Sequence, residues 1–243
     1  MLGSSQCNIY ADMLTILLGM KAMDNIIIRK GRTEDAQDFS QLILLSAATF
    51  FPSIFASNTE KVMRKIFQQP GNLFSFEHSY FIEVNDKIAG MALGYNWEQK
   101  RREELHTGLL LVKYLKWNFF TRIFYLLKAQ GIVGKVSENE YYLSNIAVYP
   151  AFRALGLGTK LFSEIRRESE KTGANKIVLD VETNNKRAIK FYERLGYIIK
   201  WRTPSIKIKK ETFEFFRMFK VLEQDSKSPN GGFTKTAKFI EII

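Results

Sequence analysis

The sequence predicts one α/β domain, and three segments predict it. Residues 143–160 run from alternating apolar positions (Leu143, Ile146, Val148) through Pro150 and Arg153-Ala154-Leu155-Gly156-Leu157-Gly158 into a helical pattern, Leu161, Phe162, Ile165. Residues 176–181 are β-branched and apolar. After them Ala188, Phe191, Tyr192 and Leu195 fall at helical spacing before Gly196, which sits where a helix C-cap glycine belongs. Residues 79–84 and 88–95 are strand-like and flank Asn85-Asp86-Lys87, a turn sequence.

The remaining elements follow in chain order. Ile26 to Lys30 is a short strand. Thr33 is predicted to cap the next helix, with Glu34 and Asp35 in its first turn. Residues 39–59 lack charge but contain Gln41, Pro52 and several serines and threonines, so they read as a core helix plus loop rather than a membrane span. Leu109 to Lys128 is too apolar for a loop. It predicts one or two helices inserted around 105–135, with Lys113, Lys116, Arg122 and Lys128 on a shared polar flank. Core packing on the sheet, a wall over a binding site, a homodimer surface and an interfacial helix all fit that stretch. Ile198 to Ile208 and Thr212 to Leu222 read as two closing strands.

Composition narrows the class. A chain of 243 residues can bury a sizeable core, and neither a linker nor a repeat divides it. Net charge is +11, from 36 Lys and Arg against 25 Asp and Glu, which favours anionic ligands. The basic residues are dispersed, which argues against a specific nucleic-acid partner. The single Cys7 excludes a disulfide framework, and with only His78 and His106 no metal cluster is expected. Both histidines are expected on the surface or in loops. Residues 1–22 have Asp12 as their only charge before Lys21 and lack the basic start of a signal peptide, so a cytoplasmic protein is expected.

A strand that passes through glycines into a helix N-terminus holds phosphate: backbone N–H groups face the anion, and the helix dipole adds roughly half a positive charge. Two nucleotide motifs are excluded. Only Gly156 and Gly158 are present, so Gly-x-Gly-x-x-Gly fails, and the P-loop's Gly-Lys-Ser/Thr is missing. Arg153-x-x-Gly156-x-Gly158 resembles the acetyl-CoA pyrophosphate loop of the GNAT superfamily of N-acetyltransferases. Downstream, Asn185-x-x-Ala188-x-x-Phe191-Tyr192-x-x-x-Gly196-Tyr197 resembles a second signature of that family at every fixed position. The resemblance covers about residues 26–222 and is strongest over 141–197. It implies a mixed, mostly antiparallel central sheet flanked by helices. It also implies an N-terminal extension (1–25), an N-acetyltransferase domain (26–222) and a C-terminal tail (223–243).

The resemblance further implies acetyl-CoA as cosubstrate, no metal, and direct attack by a primary amine within a ternary complex. Such transfer needs an anchored donor, a neutral amine, a stabilised oxyanion and a protonated leaving thiolate. Arg153, Ala154, Gly156, Leu157, Gly158 and Thr159 would hold the pyrophosphate, and the strand edge at Ile146, Ala147 and Val148 would pair with the pantetheine amides. Tyr192 takes the place of the family's general acid; its other reading is an aromatic packed under the sheet. Asn185 would bond cofactor or acceptor, or cap its helix, or both. The general base stays open among Glu182, Asp180, Glu140 and Glu83. Alternation puts Asp180 and Glu182 on one face, and Ser144 and Asn145 occupy the strand where some members carry the acid. Inserted helices suggest an enclosed site, which favours a small amine acceptor. A peptide or protein amine, and a catalytically weak CoA-binding module, are the alternatives.

Overall fold

A computed structural model describes residues 25–55, 58–115 and 117–222. The main sheet is built from β1 (Ile26–Lys30), β2 (Ser79–Val84), β3 (Lys87–Asn96), β4 (Glu140–Val148), β5 (Lys176–Glu182), β6 (Ile198–Arg202) and β9 (Phe215–Val221). Its order is β1-β2-β3-β4-β5-β9-β6. Only β4 and β5 are parallel; every other neighbouring pair is antiparallel. A mixed, mostly antiparallel sheet is therefore observed. The β2–β3 hairpin turns at Asn85 and Asp86, both at positive φ (50° and 61°), the conformation that Asn and Asp tolerate best among non-glycine residues.

Helices cover both faces. On one lie α1 (Ala36–Ser46), α2 (Phe50–Phe55), α3 (Thr59–Phe67), α4 (Trp97–Leu115) and α5 (Trp117–Gln130). On the other lie α6 (Leu157–Lys171) and α7 (Lys186–Arg194). Strand alternation feeds two cores. Phe81, Met91 and Leu93 pack under α1 and α3 beside Phe39, Leu42 and Met63. Tyr80, Ile82, Leu179 and Met218 pack under α6 beside Leu161 and Ile165.

Four expectations are corrected. Thr33 does not cap α1. The Arg32 N–H donates to the Asp35 carboxylate at 2.8 Å, and Asp35 is held by Arg29 at 2.7 Å. The helical insertion begins at Trp97 rather than 105. Asn96 and Gln99 cap it reciprocally (Asn96 N–H to Gln99 Oε1 2.9 Å, Gln99 N–H to Asn96 Oδ1 2.8 Å), so its polar first turns are helix, not loop. The closing strands are split. Pro204 removes a donor, and β7 (Ile206–Ile208) with β8 (Glu211–Phe213) peels off as a separate two-stranded sheet whose Ile206, Ile208 and Phe213 join the α1–α5 core. Finally, His78 is buried, bonded through Nε2 to Glu103 of α4 at 2.5 Å, because it ties the insertion to the start of β2. His106 makes a similar tie to the Gly71 carbonyl.

The insertion packs its Leu110, Leu111 and Leu115 into the core, while Leu105, Leu109, Phe124 and Leu127 are exposed. Among the described residues no helix is long and apolar enough to cross a membrane. Cys7 and the 1–22 stretch lie outside the described residues, as does the tail from 223.

Candidate active site

The site is a gap in the sheet. β4 pairs with β5 only through Glu140, Tyr141 and Tyr142, opposite Lys176, Ile177 and Val178. Beyond Tyr142 the strands diverge while β4 keeps pairing with β3 out to Val148. Ser144 is a β-bulge, since Leu93 faces Asn145 and Gly94 faces Leu143, and a bulge bends and twists its strand. Gly94 permits the close packing here: a Cβ would lie 2.6 Å from the Tyr141 ring. Alternate N–H and C=O groups of residues 143–148 therefore face the gap without a strand partner, available to an extended ligand or a developing oxyanion.

One cavity of about 1220 Å³ runs through the gap. Every residue predicted for the site lines it: Ile146, Ala147, Val148, Arg153, Ala154, Gly156, Leu157, Gly158, Thr159, Glu182, Asn185 and Tyr192. At the α6 end, Ala154 (φ 64°) and Gly156 (φ 71°) are both left-handed, and Gly156 is the N-cap. This folds the loop so that the orphan N–H groups of the first turn of α6 point outward, a ready anion cradle. A Cβ on Gly156 would meet no protein atom within 4 Å. Arg153 bonds back to the Val148 carbonyl at 3.2 Å, fixing the loop to the end of β4. Arg187, Lys190 and Arg194 of α7 also line the cavity and make no ion pair among the described residues. Their spacing of three and four residues was a signal that sequence reasoning missed. The donor set suits a polyanionic ligand.

Asn185 caps α7, its Oδ1 accepting from the Ala188 N–H at 3.1 Å, while also lining the cavity. Tyr192 packs against Phe191, Tyr197 and Phe162 (ring centroids 5.5, 6.0 and 6.5 Å apart), and burial raises its phenol well above the usual tyrosine range. It stays protonated at neutral pH.

The four acids separate cleanly. Glu83 on β2 is bound to Arg29 of β1, and Glu140 accepts from the Ser137 N–H; neither lines the cavity. Asp180 lines it but is neutralised. Its Oδ2 accepts from Arg217 at 3.0 Å, the Tyr142 hydroxyl at 3.1 Å and the Gly134 N–H at 2.8 Å. Arg217 is itself buried and donates to the Lys135 carbonyl. Glu182 is in no ion pair among the described residues. Burial raises its carboxyl above the ordinary value, partly offset by hydrogen bonds from Asn184 and from Thr49 in the α1–α2 turn. Among the described residues no group of His, Cys, Asp and Glu could hold a metal ion.

Three comparisons bear on this arrangement. A family model described as "Acetyltransferase (GNAT) family" matches residues 44–197. N-alpha-acetyltransferase 30 of Schizosaccharomyces pombe is 38% identical over 56 residues, 23% of this chain and 37% of that protein. The chain thus spans little more than a third of that curated relative. Among solved structures, an N-acetyltransferase from Staphylococcus aureus Mu50 superposes with a TM-score of 0.59 at 22% identity, covering 79% of this chain and 99% of that one. An acetyltransferase from Salmonella typhimurium, solved with its cofactor acetyl-CoA, gives 0.53 at 15% identity, covering 85% and 99%.

Proposed function

We propose, for a chain that belongs to the acetyltransferase (GNAT) family, that residues 26–222 form a catalytic unit transferring an acetyl group from acetyl-CoA to a primary amine. The observation that carries this is the cavity through the β4–β5 gap, lined by basic residues of α7 and by Glu182, a carboxylate outside any ion pair among the described residues. Acetyl-CoA supplies an activated thioester carbonyl. The loop from Arg153 to Thr159 binds its pyrophosphate, and the open edge at Ile146, Ala147 and Val148 pairs with its amide arm. Glu182, directly or through a water, takes a proton from the acceptor ammonium, so that nitrogen attacks as a neutral amine. Backbone N–H groups of β4 stabilise the oxyanion. Tyr192 gives its phenolic proton to the departing sulfur as the carbon–sulfur bond breaks, while the attacking nitrogen releases its second proton to solvent, which reprotonates Tyr192.

The acceptor is a small amine in this reading. The inserted α5 packs against α2, and α2 supplies Phe50 and Phe51 to the cavity wall. A peptide N-terminal amine is the second reading, favoured by the name of the curated relative. A cytoplasmic setting suits either.

Acetyl-CoA should raise the thermal stability of the full chain, by about 2.7 kcal/mol at a hundredfold excess over the dissociation constant. No shift with millimolar acetyl-CoA would remove the central claim.

Glu182 also sets a pH expectation. A base must be ionised, and its carboxyl is raised above the ordinary value. The acid limb of kcat/KM should therefore lie above the usual carboxylate range, with activity rising as pH rises through it. Glu182→Gln should remove that limb and lower kcat/KM by roughly 10²-fold. An unchanged limb in the variant would assign the base elsewhere.

A further inference from the structure

The cavity has two unlike halves. Toward α6 and α7 it is basic and rimmed by glycines; on the opposite face of the sheet it is walled by aromatic rings. Phe50, Phe51, Phe74 and Phe215 line that half, with Tyr95 and Tyr142 beside the gap. Phe50 is clamped edge-on between Phe213 and Phe215 (5.3 and 5.2 Å), and Phe51 packs edge-on against Phe74 (6.3 Å). The wall is thus a set of rings in mutual contact. Its one other acid, Asp180, has its charge cancelled by Arg217. Glu182, at the end of β5, is left as the one cavity-lining carboxylate outside an ion pair among the described residues.

We infer that the acceptor is an amphipathic primary amine: a single ammonium group joined to a bulky aromatic or branched apolar group. The inference rests on the acetyl-transfer reading above and sharpens it. The ammonium is drawn to Glu182 beside the gap, and the apolar group lies against the cavity wall formed by Phe51, Phe74 and Phe215. An aromatic wall with one carboxylate outside an ion pair offers no second anion to the further charges of a polyamine or an aminoglycoside, and the basic half of the cavity repels them. The same chemistry occurs in a free arylalkylamine and in a peptide whose first residue is Phe or Leu.

The test is an acetyl-CoA transfer assay with 2-phenylethylamine, ethylamine, spermidine, Phe-Gly-Gly and Gly-Gly-Gly. The same amines are titrated by calorimetry into full-length protein saturated with CoA. 2-Phenylethylamine should exceed ethylamine, or Phe-Gly-Gly exceed Gly-Gly-Gly, by roughly 10- to 100-fold in kcat/KM or affinity, the yield of burying one aromatic ring. Whichever pair shows the larger ratio names the source, free amine or peptide. Phe74→Ala should cut that ratio several-fold and leave acetyl-CoA affinity unchanged, since Phe74 is only half-buried and lies on the far face from the phosphate loop. Equal or better use or binding of spermidine or ethylamine, or a ratio untouched by Phe74→Ala, overturns the inference. Absence of acetyl-CoA binding instead overturns the acetyl-transfer reading beneath it.

Discussion

Tyr192→Phe should lower turnover by roughly 10²- to 10⁴-fold and leave acetyl-CoA affinity and fold stability nearly unchanged. The ring is a packing element between Phe191, Tyr197 and Phe162, and phenylalanine keeps that packing. What leaves is one proton donor at the cavity wall. Burial keeps the phenol protonated throughout the neutral range, so no basic limb from Tyr192 should appear in the pH profile near neutrality. Tyr197 is the control. Its hydroxyl is the one buried side-chain polar atom without a hydrogen-bond partner among the described residues. Tyr197→Phe removes an unsatisfied group and should be neutral or stabilising, by up to about 1–3 kcal/mol, with turnover unchanged. Steady-state kinetics on both variants with one acceptor decide the matter. Full activity in Tyr192→Phe would reduce Tyr192 to packing and leave solvent as the proton donor.

The halves of the site differ in how far they could be read from sequence. The proposed phosphate end is local. Arg153 to Thr159 is one loop and one helix start, legible as an anion cradle, and Asn185 to Tyr197 is one helix with its caps, whose role comes from the family resemblance of its motif. The acceptor end is assembled from segments far apart in the chain: Phe50 and Phe51, Phe74, Tyr95, and Phe215. Each reads in sequence as an ordinary core residue, and only the divergence of β4 from β5 turns them into a wall. The choice among acids was equally non-local. Asp180 and Glu182 are indistinguishable by alternation, and they part only because Arg217, opposite Asp180 in β9, neutralises the first. The missed start of α4 is a different failure. Asn96-x-x-Gln99 is a local capping pair, hidden because Asn96 also ends a strand.

Gly156→Glu should abolish the stabilisation by acetyl-CoA while the protein still folds. Gly156 sits at φ 71° as the N-cap of α6, where any L side chain is strained by about 1–2 kcal/mol, a cost that a domain of this size can absorb. A Cβ there meets no protein atom, so the side chain is directed into the space that the pyrophosphate would occupy. The added carboxylate then faces phosphate across about 4 Å. At an effective dielectric near 20 the repulsion is about 4 kcal/mol, close to a thousandfold in affinity, before steric blockade is counted. Gly156→Ala carries the same backbone strain without the charge or the length. It separates the two causes and should weaken binding far less. Gly158→Glu, inside the first turn where an added Cβ would lie 3.4 Å from the Phe191 ring, should behave like Gly156→Glu without the strain. The measurements are thermal shift with and without acetyl-CoA, and circular dichroism to establish folding. A folded Gly156→Glu protein that still binds acetyl-CoA at the original affinity would show that the phosphates lie elsewhere in the cavity, and Arg187, Lys190 and Arg194 would become their holders.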